Sequence, residues 1–334
     1  MSRRSGRART KRSWLVSDAA PGVGRSRPRR SAETRGAWFP RWFWPSFATP
    51  ATLFLLVFFV FAFYVTLAVT FGGIDPILQT PDPQWNPARW DTGALAYTIS
   101  NITHTDGIYH AAFLRTIAYV VTATFLCLVI GYPFAYFLAR HAGRWRGLFL
   151  ALFLAPFWIS YMLRMTAWIG LLDDDGLVNR ALQGLGLTNA PIGFLDGRPS
   201  TLIFGLVYGY VPFMVLPLFA VLDRIPASSL EASRDLGASP RATFRRITLP
   251  ASRQGIVAGL IICGLPMFGD YFTQQLLADT NGTRMVGNFI VESLQIPIFV
   301  ARGAALILVL LALLVVPIVY YLYSTSRASR ERLA

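Results

Sequence analysis

The sequence predicts an all-α integral membrane protein with six membrane-spanning helices, preceded by a short interfacial helix. Three observations carry this. Of 334 residues, 54% are hydrophobic and only 14% charged, with a mean hydropathy of +0.46, whereas a soluble domain carries about a quarter charged residues. The charges are clustered: Trp42–Ile74, Thr116–Ala139, Pro199–Leu222 and Gly303–Ser326 hold none, and each run is long enough to cross a hydrocarbon core of about 30 Å. None alternates with period two, so helices rather than a closed barrel satisfy the backbone in lipid.

Taken in order, residues 1–36 are rich in Arg and Ser, with Pro and Gly interspersed. They are expected to form a disordered basic cytoplasmic tail. Attraction to anionic membrane lipid explains its charge more simply than nucleic acid does. The apolar run begins too far along, and is too long, for a signal peptide. Residues 37–48 include Trp38, Phe39, Trp42, Phe43 and Trp44 and read as an interfacial segment. A six-helix domain is expected over 49–326, with spans at Ala51–Phe71, Phe113–Ala139, Gly147–Leu171, Thr201–Leu222, Gln254–Leu277 and Arg302–Tyr323. Residues 327–334 follow as a cytoplasmic tail.

Orientation comes from the basic residues of the connections. Residues 1–41, 140–146, 223–253 and those after 323 hold 24 Lys and Arg, against four on the other side: Arg89, Arg180, Arg198 and Arg284. Ten acidic residues lie on that second side, among them Asp173, Asp174 and Asp175. Both termini and the 223–253 loop are therefore expected in the cytoplasm. The acidic run reads as a solvated turn rather than a metal cluster.

Absences exclude several function classes. Cys127 and Cys263 both lie in apolar segments, and His104, His110 and His141 lack ligand spacing, so neither a disulfide framework nor a metal site is expected. The single lysine, Lys11, lies in the tail, and a phosphate-binding P-loop needs a lysine after its glycines. Any ATP hydrolysis must then reside on another chain. No convergent set of catalytic groups is present, so an enzyme is not expected.

The loop 223–253 carries the most local information. Ser228 and Glu231 have capping-box spacing, and Gly237 stands where a left-handed residue ends a helix. Ser239 and Pro240 are placed as N-cap and first residue of a second helix, which Leu249-Pro250 is expected to stop. The run Glu231-Ala232-Ser233, then Gly237, then Ile247, Leu249 and Pro250 resembles the EAA loop of ABC importer permeases, with Ser233 in place of the second alanine. That resemblance implies a type I importer transmembrane domain whose loop docks on a separate ATPase.

Further resemblance lies in Pro156–Arg164, Ala167-Trp168, Gly176–Asn179, Tyr210–Phe213, Gly269–Tyr271 and Met285–Asn288, which are similar to segments of spermidine/putrescine importer permeases. It implies a polyamine substrate, two copies of the ATPase, a second homologous permease and a periplasmic or extracellular solute-binding protein. No cofactor is expected on this chain, with ATP and Mg held by the ATPase. The implied location is the bacterial inner membrane. An importer of another small solute is the alternative; an autonomous transporter or channel would leave the loop unexplained.

Two charges lie inside spans, Arg164 and Asp270. An ionisable residue there is a functional candidate by default. Rise per residue places them about 26 Å and about 24 Å from the cytoplasmic ends of their spans, so a structural ion pair competes with a place on the substrate path. Trp158, Tyr161, Trp168 and Tyr271 are the candidate cation–π surfaces beside Asp270.

Overall fold

The computed structural model describes residues 43–331, with side chains over 46–323. The expected basic tail 1–36, residues 37–42 of the interfacial segment and the last three residues lie outside the described residues. The chain divides into two units between Val57 and Phe58. Of the first, residues 43–57 are described, and all are helical.

The helices in order are α1 (Phe43–Thr70), α2 (Gly93–Thr103), α3 (His110–Arg140), α4 (Arg146–Leu154), α5 (Tyr161–Leu172), α6 (Leu177–Gly184) and α7 (Pro199–Leu222). There follow α8 (Ala227–Asp235), α9 (Pro240–Thr243), α10 (Leu249–Ala251), α11 (Arg253–Phe268), α12 (Phe272–Leu277), α13 (Val286–Gln295) and α14 (Val300–Glu331). The one departure from all-helical among the described residues is a two-stranded hairpin, β1 (Gly73–Ile74) antiparallel to β2 (Pro81–Asp82), with Gly73 opposite Asp82. Asp75 closes its turn by accepting from the N–H groups of Ile77 and Leu78 at 2.8 and 2.9 Å. Those two bonds hold its carboxyl below the usual range.

Four helical stretches are long and apolar enough to cross a membrane: Ser46–Thr70, His110–Arg140, Pro199–Leu222 and Pro297–Tyr323. Two bent pairs raise the number to six if each is one span. These are Gly143–Trp158 with Tyr161–Gly184, bent by 86°, and Pro240–Ala251 with Arg253–Phe268, bent by 59°.

Three expectations need correction. Residues 43–48 are the opening turns of α1, not part of a separate interfacial helix. Pro50 lies inside this helix without ending it. The third span is not continuous. After α4 a 3₁₀ turn, Ala155–Trp158, begins with Pro156 in its first two positions, and Ile159 and Ser160 are extended at ψ 141° and 139°. The carbonyl freed at Ile159 accepts from Arg164 Nε at 3.2 Å. The fifth span also breaks, at Gly269–Tyr271 between α11 and α12, just past Pro266, which lies inside α11.

The core is formed by α3, α7 and α11, with Ala123, Cys127, Leu206, Met214, Leu218 and Met267 buried together. Inside hydrocarbon the hydrophobic effect separates helices from lipid only weakly, so contact must come from close packing at small residues. Gly259 shows this: a Cβ there would lie 2.6 Å from Met214 Sδ. A second cluster joins Tyr109 and Phe113 to Val286 and Leu306. Thr116 spans the same seam, donating to Ala112 O at 2.7 Å and accepting from Val286 N at 2.9 Å.

Candidate functional site

The 223–253 loop is fixed at its base and bare at its tip. Asp223 pairs with Arg146 at 2.8 Å. Arg140 Nη2 donates to the carbonyls of Leu222 and Ile225 at 2.8 and 2.9 Å, satisfying oxygens at the end of α7 that have no helical partner. Helix α8 then begins two residues earlier than an N-cap at Ser228 would set. Pro226 is its N-cap and makes no side-chain capping bond, so the expected Ser228–Glu231 capping box is not formed.

The far end of α8 closes as expected. Gly237 has φ +80°, its N–H donates to Arg234 O at 2.8 Å, and Ala238 N–H donates to Ser233 O at 3.1 Å. These are the two bonds of a Schellman motif. Ser239 caps α9 by accepting from Ala242 N at 3.3 Å, with Pro240 at its start. The helix does not stop at Leu249-Pro250. A π-turn over Phe244–Thr248 carries it into α10, and the turn comes at Ser252. The π-turn shifts the bonding ahead of Pro250, with Leu249 N–H donating to Phe244 O, so the proline follows the widened turn.

Ser233, which replaces an alanine in the resemblance, hydrogen-bonds through its hydroxyl to that of buried Thr243 at 3.0 Å. This ties α8 to α9. Phe244 meets Tyr132 and Tyr136 of α3 edge-on, with ring centroids 5.8 Å apart in both cases. Ser252, fully buried, bonds the Tyr132 hydroxyl at 2.9 Å. Against this anchored side, Glu231, Ala232, Gly237, Leu249 and Pro250 are exposed and Ile247 is half-buried. Leu236, at the tip, is 88% exposed.

The second feature is Asp270, which is buried between α11 and α12. Its Oδ1 accepts from Thr273 N at 2.9 Å. Its Oδ2 accepts from Thr273 Oγ1 at 2.7 Å and from the hydroxyls of Tyr161 and Tyr210, both at 3.0 Å. Tyr161 and Thr273 also share a short hydroxyl contact. The carboxylate thus gathers α5, α7 and α12 around the start of α12, where a negative charge is favoured. Gly209 makes room for this: a Cβ there would lie 2.5 Å from Tyr161 Cε2.

Arg164 and Asp270 do not form the ion pair weighed from the sequence. Among the described residues the pairs are Arg146–Asp223 and Arg284–Glu292. Arg164 is buried with its guanidinium over the rings of Phe157 at 4.5 Å, Tyr161 at 5.4 Å and Tyr208 at 5.6 Å. Its Nη1 has no hydrogen-bond partner. The Tyr161 side chain meets both charges, its hydroxyl on the carboxylate and its ring under the guanidinium. The four donors on Asp270 supply the compensation that a pair would have given.

Of the five path candidates, only Tyr161 and Asp270 come together. Trp158 is 84% exposed, and Trp168 packs edge-on against Phe204 and Tyr208, with centroids 4.6 and 5.3 Å away. Tyr271 stacks on Phe272 and faces a polar cleft of about 130 Å³ with Gln274, Asp279, Arg284 and Glu292. Asp173, Asp174 and Asp175 are exposed, as expected of a solvated turn. Sequence reasoning missed Tyr210 and Thr273 as partners of Asp270. Thr273 was findable, because a carboxylate three residues before a threonine has N-capping spacing.

An anchored polar helix–turn–helix thus sits on a bundle of apolar, partly broken helices, and the family and relatives that follow make this a membrane transport subunit rather than an enzyme. The chain belongs to the family described as binding-protein-dependent transport system inner membrane component, which matches residues 131–330. It is accordingly a multi-pass inner-membrane component of a binding-protein-dependent transport system.

Relatives include the spermidine/putrescine transport system permease protein PotB of Escherichia coli strain K12, 37% identical over 197 residues, or 59% of this chain and 71% of the relative. PotB of Haemophilus influenzae is 34% identical over 232 residues, 68% of this chain and 80% of the relative. A bacterial ABC transporter involved in the import of the acidic polysaccharide alginate shares the fold at TM-score 0.54 and 17% identity, covering 86% of this chain and 98% of that one. The alginate transporter in complex with its pentasaccharide-bound periplasmic protein gives 0.58 at 17% identity, over 86% and 95%.

Proposed function

We propose that this chain is the permease subunit of an ATP-driven importer that moves polyamines such as spermidine and putrescine into the cytoplasm. The similarity to permeases of spermidine/putrescine systems, at 34–37% identity, carries the solute assignment. Both termini and the 223–253 loop face the cytoplasm, as the basic-residue asymmetry requires. Two ATPase copies bind ATP and Mg, and a second homologous permease completes a heterodimer. This chain itself holds no cofactor.

The observation that carries the coupling role is the loop's build. A capped, hydroxyl-tied helix–turn–helix is anchored on α3 through Phe244 and presents Leu236 and Glu231 outward. Such an element moves as a body when an ATPase closes beneath it, shifting the spans between two states. Asp270 lies on the substrate path in this reading. Two of its donors are tyrosine hydroxyls that turn away without unfolding a helix, leaving Oδ2 to accept an alkylammonium group.

Docking is tested by affinity purification of the detergent-extracted complex through a tag on this chain. The wild type retains the ATPase. A variant with Leu236→Asp and Glu231→Lys inserts normally and loses it. Retention of the ATPase by that double variant contradicts docking at this tip.

A further inference from the structure

The third span is bent by 86° between two limbs, Gly143–Trp158 and Tyr161–Gly184, and one side chain bridges them. Arg164 belongs to the second limb, yet its guanidinium lies 4.5 Å from the ring of Phe157 on the first. Its Nε donates at 3.2 Å to Ile159 O, the carbonyl at the corner. The rings of Tyr161, at 5.4 Å, and Tyr208 of α7, at 5.6 Å, also lie within cation–π reach. Arg164 is buried, and its Nη1 has no hydrogen-bond partner. The bend is thus held by stacked rings and one carbonyl rather than by an ion pair, so the grip weakens when a ring leaves.

Tyr161 joins this grip to Asp270. It is the first residue of α5, directly after the corner, and its hydroxyl donates to Asp270 Oδ2 at 3.0 Å. A phenol oxygen lies on the axis of its own ring flip, so it leaves the carboxylate only by rotation at χ1, which carries the whole ring with it. The ring packs on the α7 backbone at Gly209, where a Cβ would lie 2.5 Å from Cε2. Moving the hydroxyl therefore moves the surface on which the guanidinium rests.

We propose that Arg164 is a positioning residue that clamps the bend of the third span and is released by substrate through Tyr161. An alkylammonium group that takes Asp270 Oδ2 displaces the Tyr161 hydroxyl, the ring leaves the guanidinium, and the two limbs change angle. The clamp holds the resting state, so it keeps ATP hydrolysis low until substrate arrives. This rests on the reading of Asp270 as the ammonium acceptor.

The test compares ATP hydrolysis by the complete complex in proteoliposomes, with and without loaded binding protein, across a set of variants. Arg164→Gln is expected to raise the substrate-free rate about 5- to 30-fold, the range that loss of a desolvated cation–π contact sets in a two-state population. Arg164→Lys keeps a cation against the rings and should stay nearer the wild type. Tyr161→Phe cuts the same chain at its hydroxyl and should also raise the substrate-free rate, while the double variant with Arg164→Gln rises no further than Arg164→Gln alone. A purely structural arginine would instead lower both rates together. An unchanged or lowered substrate-free rate in assembled Arg164→Gln overturns the clamp, and effects that multiply in the double variant overturn the link through Tyr161. If Arg164→Gln does not assemble, Tyr161→Phe decides, and an unchanged substrate-free rate there overturns the proposal. Because the comparison reads rates without substrate, a solute other than a polyamine leaves it intact. An Asp270 away from the path shows separately, as a full substrate response in Asp270→Asn.

Discussion

Asp270→Asn is expected to weaken the response of the assembled transporter to polyamine by roughly 10- to 150-fold, the equivalent of one charge-assisted contact of about 1.5–3 kcal/mol. Asparagine keeps an oxygen for the hydroxyls of Tyr161 and Tyr210, so assembly and basal ATP hydrolysis should survive. Asp270→Ala is a different case. It strands the Thr273 N–H and the bonds to Oδ2, at about 1–3 kcal/mol for each group left unsatisfied, and should lower the melting temperature of the complex. Adding Arg164→Gln to Asp270→Asn should restore nothing, because the two charges are not paired. Substrate titration of stimulated ATP hydrolysis in the single and double variants checks this. Recovery in the double variant would show a pairing that forms elsewhere in the cycle and would remove Asp270 from the path.

Gly237→Val should uncouple the transporter while leaving the spans inserted. At φ +80° a β-branched side chain is a genuine outlier, and forcing an L-residue into the left-handed region costs about 1–2 kcal/mol. That is a factor of about 5–30 in the population of the intact turn. A Cβ there meets nothing within 4 Å, so the effect comes from backbone conformation and not from a clash. Gly237→Asn, whose short polar side chain tolerates the left-handed region, should retain most coupling. The comparison is of substrate-stimulated ATP hydrolysis in wild type, Gly237→Val and Gly237→Asn. Equal activity in all three would remove the turn from the mechanism.

The features legible in the sequence were those set by additive or local physics. The long charge-free runs appear as apolar helices because length and apolarity suffice to define them. Gly237, Ser239 and Pro240 behave as read, since left-handed backbone and capping bonds depend only on near neighbours. The Ser228–Glu231 box failed on a local competitor, Pro226, which starts the helix early. The breaks in the third and fifth spans depend on where freed carbonyls and carboxylates find donors. For Ile159 O that donor is Arg164 Nε, and for Asp270 the donors come from three helices. Arg164 and Asp270 at similar depth suggested a pair, yet depth does not fix rotation about the helix axis.

The most direct test of the central claim is ATP hydrolysis by the reconstituted complex of both permeases and the ATPase, measured as binding protein loaded with spermidine or putrescine is added outside. The account predicts hydrolysis that rises with polyamine-loaded binding protein, is matched by ATP-dependent uptake of labelled polyamine, and disappears with Gly237→Val. Uptake that continues without the ATPase, or hydrolysis indifferent to polyamine yet stimulated by another solute, would contradict it.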